Sequence, residues 1–267
     1  MKTAPIRPAA VAGQFYPAHA PALEQMVDAF LSAARPRRTA NPKAVIAPHA
    51  GYIYSGPIAG SAFAPWRPVA GQIRRVILIG PSHHVYFAGL ALPAAAQFAT
   101  PLGNVPVDAD AVAQLQKLSS VRIFDSAHAT EHALEVELPF LQQTLRDFQI
   151  VPLVVGEAGD AEISEALELL WGGPETRIVV SSDLSHYHGY AAAQRLDRTT
   201  AAHIETRQAA ALTGQHACGY RAIRGLLRIA ERRGFYVETA DLRNSGDTAG
   251  SRDRVVGYGA FLFGEPS

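Results

Sequence analysis

The chain is poor in several residues that would point to other kinds of protein. Of its 267 residues, one is cysteine, two are methionine and two are tryptophan. A single cysteine excludes a disulfide within the chain and agrees with a reducing compartment, leaving that thiol free for packing or ligation. No run approaches the ~20 apolar residues of a membrane span, and Met1–Pro5 lacks the apolar core of a signal peptide. A cytoplasmic protein without a membrane partner is the expectation. An excess of charge of one sign is also missing. Twenty-four basic residues balance 24 acidic ones, so nothing draws the chain to nucleic acid. A small, neutral ligand is the default that remains.

What is present is an ordinary globular composition, 48% hydrophobic and 18% charged. Apolar runs of strand length recur at Ala44–Ala47, Val76–Ile79, Ile150–Val155, Ile178–Ser181 and Val255–Phe263. Runs as continuous as Val76-Ile77-Leu78-Ile79 suit strands buried on both faces, and helical patterns lie between them. Helices are expected over Leu134–Arg146, Ala191–Ala211 and Gly219–Arg233, the last stopped by Gly234. Leu242–Arg254, rich in Gly, Ser, Asp and Arg, reads as a loop. With no internal repeat or linker, residues 1–267 are expected to form one α/β domain. Its sheet should be largely parallel and covered on each side.

Three of the strand-like runs lead into histidine: Pro48-His49, Pro81-Ser82-His83-His84, and Asp183-Leu184-Ser185-His186-Tyr187-His188. Functional groups gather at the carboxyl ends of strands in open α/β sheets, so these endings are expected to converge. Imidazole is the commonest ligand for zinc, iron and copper, and it titrates near neutrality, so the same cluster also offers a general base. A second group, His128-Ala129-Thr130-Glu131-His132-Ala133-Leu134-Glu135, opens a helical stretch, and His128 and His132 stand at helical spacing. The order is not the zincin one, which needs Glu directly after the first His. Thr130 as cap, with Glu131 or Glu135 favouring the helix dipole, is the structural alternative. Cys218 precedes another helix, whose N-terminus would favour the metal-binding thiolate, although lone cysteines are usually packing residues.

With these residues in view, the chain resembles the Memo family, also known as the B protein of the AmmeMemoRadiSam system. The resemblance runs from Ala12-Gly13-Gln14-Phe15-Tyr16-Pro17 through Ala47–Tyr52, Gly80–His84, Thr100–Gly103, Glu131-His132 with Glu135, Pro152–Gly156 and Ser181–Asp183 to Cys218-Gly219. The family is similar to the class III extradiol dioxygenases, non-haem iron enzymes. That similarity implies a three-layer αβα sandwich with a mixed, largely parallel central sheet. Position by position, it implies a metal site of His49, His83 and Cys218 with His186 close by, either as a fourth ligand or as acid/base. His132 is a further catalytic candidate. His84, Tyr187, His188, Asp183, Glu131 and Tyr52 are expected around the ligands or against a substrate. A cysteine in place of the dioxygenases' carboxylate softens the site, so copper and zinc stand beside iron as the one expected transition-metal ion. Three functions follow as alternatives. They are an iron- or copper-dependent oxidoreductase acting on a small molecule, a metal- or peptide-binding adaptor, and a hydrolase using zinc-bound water. The resemblance also implies association with radical-SAM and AMMECR-type proteins.

Overall fold

Uninterrupted apolar strands can be buried only in the middle of a sheet covered on both faces, and this placement organises the chain. The computed structural model describes residues 5–35 and 37–265. Along the chain it begins with β1 (Ile6–Arg7), α1 (Ala20–Ala33), β2 (Ala44–Ala47), α2 (Tyr52–Phe63), β3 (Arg75–Pro81) and β4 (Leu90–Leu92). Next come β5 (Gln97–Thr100), β6 (Gly103–Pro106), α3 (Ala109–Leu115), β7 (Val121–Ile123), α4 (Ser126–Ala129), α5 (Leu138–Thr144) and β8 (Gln149–Val155). The remainder is α6 (Asp160–Leu169), β9 (Thr176–Ser181), β10 (His186–His188), α7 (Tyr190–Glu205), α8 (Tyr220–Arg232), β11 (Tyr236–Asn244) and β12 (Val255–Gly264).

Among the described residues the main sheet has nine strands. Its centre, β2–β9–β3–β8, is parallel, and antiparallel β12 and β4 flank it. β11 and β10 pair with β12, and β7 with β4. Alternate strand residues feed two separate cores. Val45, Val76, Leu78, Ile150 and Val179 pack with α1, α2 and α5, whereas Ile46, Ile77, Ile79, Val151 and Val180 pack with α6, α7 and α8. The result is the expected three-layer αβα sandwich with a mixed sheet. Helices α1 and α2 approach closely because Gly60 has no side chain; a Cβ there would stand 2.6 Å from the Phe30 carbonyl oxygen. Among the described residues no helix is long and apolar enough to cross a membrane.

All five expected strands form, but several other expectations are revised. The helix expected over Leu134–Arg146 is broken into a 3-10 turn, Glu135–Glu137, and α5. Pro139 lacks the N–H that would continue an α-helical ladder across that junction. The helix expected over Ala191–Ala211 stops after Glu205, where Arg207 takes a left-handed backbone (φ 57°). The stretch expected as a loop from Leu242 begins inside β11, a strand whose polar residues hide its pairing with β12. The His186–His188 segment, expected as loop, is the short strand β10.

A second sheet, β1–β5–β6, sits beside the first and carries the N-terminal segment. Arg7 lies buried there and pairs with the fully buried Glu135. The same carboxylate accepts from the amides of Ala10 (2.7 Å) and Val11 (3.0 Å) and from the Tyr16 hydroxyl (2.5 Å). Removing one member of a buried ion pair strands the other charge. Glu135→Ala is therefore expected to lower unfolding free energy by about 3–5 kcal/mol in urea titrations. A loss below about 1 kcal/mol would mean that the pair behaves like a surface one.

Candidate metal centre

Parallel strands whose ends lie level bring the residues that follow them into one place. β2 and β9 pair with Ala47 opposite Ser181, and β3 lies on the other side of β9. His49 follows β2 by two residues, His83 follows β3 by two, and His186 opens β10 five residues after β9. Ring centroids of His49 and His83 are 5.1 Å apart. His132, from the turn after α4, completes the group. Its ring stacks on His83 at 4.6 Å and lies 5.4 Å from His49. One ligand nitrogen from each of these three histidines falls within 4.8 Å of the other two.

Hydrogen bonds behind the rings fix which nitrogens face inward. His49 Nδ1 bonds Ser181 Oγ at 2.7 Å, which leaves Nε2 for the cluster. His83 Nδ1 bonds Glu131 Oε1 at 2.8 Å, and its amide donates to Glu131 Oε2 at 2.6 Å. Such outer partners orient and tune metal-binding imidazoles. Ser181 Oγ also meets the Ala133 carbonyl (2.7 Å) and Glu137 Oε1 (2.8 Å). Burial, reinforced by the charge of Asp183, pushes the Glu137 carboxyl well above its ordinary range, so it retains its proton. Protonated Glu137 and His49 Nδ1–H can then both donate to Ser181, whose own hydrogen goes to Ala133.

Electrostatics agrees with a cation guest. Burial, with His83, His132 and His186 nearby, holds His49 well below its ordinary 6.5. Burial also brings His132 down to about 4, despite the opposing charge of Glu131. Burial likewise opposes charge on His83, but its hydrogen bond to Glu131 prevails and lifts its pKa. Burial would raise Glu131, yet hydrogen bonds from the His83 ring and from the amides of His83 and Ala133 bring it down to about 2. Burial thus keeps His49 and His132 in the neutral form that binds metal, and an incoming cation would displace the proton that Glu131 favours on His83, so the residues present fit a single transition-metal ion.

Cys218 Sγ stands 3.3 Å from His49 Nε2, so the thiol reaches the cluster. That approach depends on Gly219, where a Cβ would lie 2.7 Å from Ser182 Cβ. The expected thiolate is not favoured in the metal-free protein. Cys218 precedes the helix cap, and burial together with the charge of Asp183 pushes the thiol up to about 12.

Two cavities meet at the cluster. The larger, about 660 Å³, is lined by His49, His83, His132, His186 and the aromatic rings of Phe15, Tyr54, Tyr187 and Tyr258. His186 Nδ1 bonds the Leu184 carbonyl at 2.8 Å, and burial lowers its pKa, giving a neutral imidazole with Nε2 free. Tyr187 is 65% exposed and has φ 61°, a strained backbone for a residue with a side chain. The smaller cavity, about 340 Å³, takes in His83, His84, Cys218, Tyr220 and Arg221.

Asp183 lines the larger cavity beside the histidines, where its Oδ1 accepts from the His49 amide at 2.8 Å and burial pushes its carboxyl up to about 7. Other expected residues fall elsewhere. Tyr52 lines neither cavity: it is buried and donates to the Val136 carbonyl at 2.6 Å. His188 is exposed and lines neither cavity. His128 shares no helix face with His132, because α4 ends at Ala129; its Nε2 donates to the Ala91 carbonyl at 3.0 Å. Thr130 follows α4 rather than capping a helix start, and Glu131 and Glu135 serve His83 and Arg7. Sequence reasoning assigned no role to Ser181, Glu137, Phe15 or Tyr258. Two acids inside the apolar run Leu134–Leu138 were the available signal for Glu137.

His49→Ala and His83→Ala are expected to cut metal affinity by more than the ~10–100-fold that loss of an outer partner costs, whereas His84→Ala leaves metal content unchanged. Elemental analysis of each variant checks this, and equal metal loss for His83 and His84 would reverse the assignment. Glu131 also sets an acid limit. Its folded pKa of about 2 lies below its ordinary 4.5, so its contribution is complete above pH 4.5 and fades as pH falls toward 2. Acid titration of the metal-free protein should show a loss on the order of 3 kcal/mol across that window, absent in Glu131→Gln.

Comparison with known proteins places the chain in a family. The family model for Memo-like proteins matches residues 7–262. A MEMO1 family protein of Ignicoccus hospitalis is 34% identical, covering 98% of this chain and 99% of its own length. Those of Pyrobaculum arsenaticum and Thermoplasma volcanium are 33% and 30% identical, covering 97% and 96% of this chain and 99% and 98% of their own lengths. The chain belongs to the Memo-like protein family.

Proposed function

We propose that the protein is a metal-dependent oxidoreductase, using iron or copper, that acts on a small molecule held in the 660 Å³ cavity. The observation that carries this reading is the convergence of three imidazole nitrogens at the wall of a cavity large enough for a ligand. His49, His83 and His132 would hold the ion, with Cys218 a soft donor beside His49. When bound, the metal would supply Lewis acidity and an open coordination position.

The remaining work belongs to the chain. Phe15, Tyr54 and Tyr258 offer apolar faces that orient a flat substrate and exclude water. His186 faces the same space as a neutral base, anchored by the Leu184 carbonyl, and takes a proton from the substrate at Nε2. Tyr187, exposed at the rim, borders the ligand space.

The test is to load metal-free protein anaerobically with Fe(II) or Cu(I) and offer catechol-like probes, with and without oxygen. His186→Ala should keep its metal while turnover falls by about 10²–10⁴-fold, the usual contribution of a general base. Loss of metal together with a large fall in melting temperature would make His186 a structural ligand. Probe binding without turnover under any metal would replace the enzyme by a binding adaptor.

A further inference from the structure

A third cavity, about 370 Å³, lies apart from the metal centre and shares no lining residue with either cavity there. Arg35 and Arg37 reach it from the segment after α1, Pro57 and Ser61 from α2, and Asp241 and Arg243 from β11. A bulge sets the last pair in place. Thr239 is opposite Phe261 and Asp241 opposite Ala260, so Ala240 is an extra residue in β11. Thr239 turns to Glu205 of α7, on one face of the sheet, while Asp241 turns to Ser61 of α2, on the other. Without the bulge, residues two apart would share a face.

The charges around this cavity do not balance. Three guanidinium groups face one carboxylate, and Arg243 already holds that carboxylate with both prongs, Nε to Oδ1 at 2.9 Å and Nη2 to Oδ2 at 2.5 Å. Ser61 Oγ donates to Asp241 Oδ2 as well, at 3.0 Å. Among the described residues neither Arg35 nor Arg37 makes an ion pair. Among the same residues Arg37 Nε is buried and has no hydrogen-bond acceptor. A buried donor without a partner is costly and calls for an explanation.

We propose that this cavity binds a phosphate group through Arg35 and Arg37, with Arg243 alongside. Two uncompensated guanidinium groups match a phosphate monoester, which carries about −1.5 to −2 at neutral pH; a carboxylate supplies only one charge. The planar fork of arginine suits phosphate oxygens, and Arg37 Nε gains its missing acceptor. The cavity volume leaves room for a small organic group beyond the phosphate, so the natural ligand is a small phosphorylated metabolite or phosphate itself.

Calorimetric titration of the full chain with inorganic phosphate, glycerol phosphate and, at equal ionic strength, acetate tests this. One site per chain is expected for both phosphates, with a dissociation constant of about 1 mM or lower. Tighter binding of glycerol phosphate identifies the metabolite, and equal binding identifies phosphate itself. Arg35→Ala and Arg37→Ala should each weaken binding at least about tenfold, and the lysine variants should restore part of it as point charges. In phosphate-free buffer, Arg37→Met should melt at the same temperature as the parent or higher, because a buried N–H without an acceptor has been removed. Acetate binding as well as phosphate, no saturation by about 10 mM, unchanged affinity in the double alanine variant, or a lower melting point for Arg37→Met would each overturn the proposal.

Discussion

The hydroxyl of Ser181 is the point on which the metal centre depends. It ends the strand at the middle of the sheet, level with Ala47, and meets His49 Nδ1, the Ala133 carbonyl and Glu137 at once. It thereby ties the loop after β2 to the turn that carries His132. A hydroxyl has one hydrogen and two lone pairs, so three neighbours use it fully. The neutral state of Glu137, imposed by burial, is what lets the pattern close.

Two carboxyl groups near the histidines illustrate how surroundings divide the labour. Glu131 gathers donors from the His83 ring and two amides and stays ionised at about 2. Asp183 accepts amides as well, yet its deeper burial carries it to about 7. Fixed negative charge therefore sits behind His83, while His49 rests on the Ser181 hydroxyl and on a carboxyl that is only partly ionised near neutrality. A cation entering the cluster would be balanced from one side, through the histidine that Glu131 makes most basic.

Helix α2 connects the metal centre with the arginine-lined cavity. Gly51 and Tyr54 border the large cavity, and Pro57 and Ser61, one to two turns further along the helix, border the arginines. The close packing of α1 on α2 at Gly60 holds this helix against its neighbour. At its start, Tyr52 is locked to Val136, and the N-terminal segment that supplies Phe15 is pinned by Glu135. Both cavities thus rest on the same rigid layer.

The sequence alone determined the five buried strands, their alternation with helical segments and the three strand endings that carry His49, His83 and His186. Long apolar runs can satisfy their backbone and hide both faces only inside a covered sheet, and parallel strands place their ends together. Only the tertiary structure decided the rest. Polar edge strands such as β11 carry no apolar signature, so their existence depends on the neighbour they pair with. His132 joins His49 and His83 because a turn after α4 faces the ends of β2 and β3, a relation no local spacing encodes. The role of Ser181, the proton on Glu137 and the unbalanced arginines after α1 likewise arise from burial and charge supplied by residues distant in the chain. Local patterns report how a segment wishes to be buried; which groups meet there is set by packing.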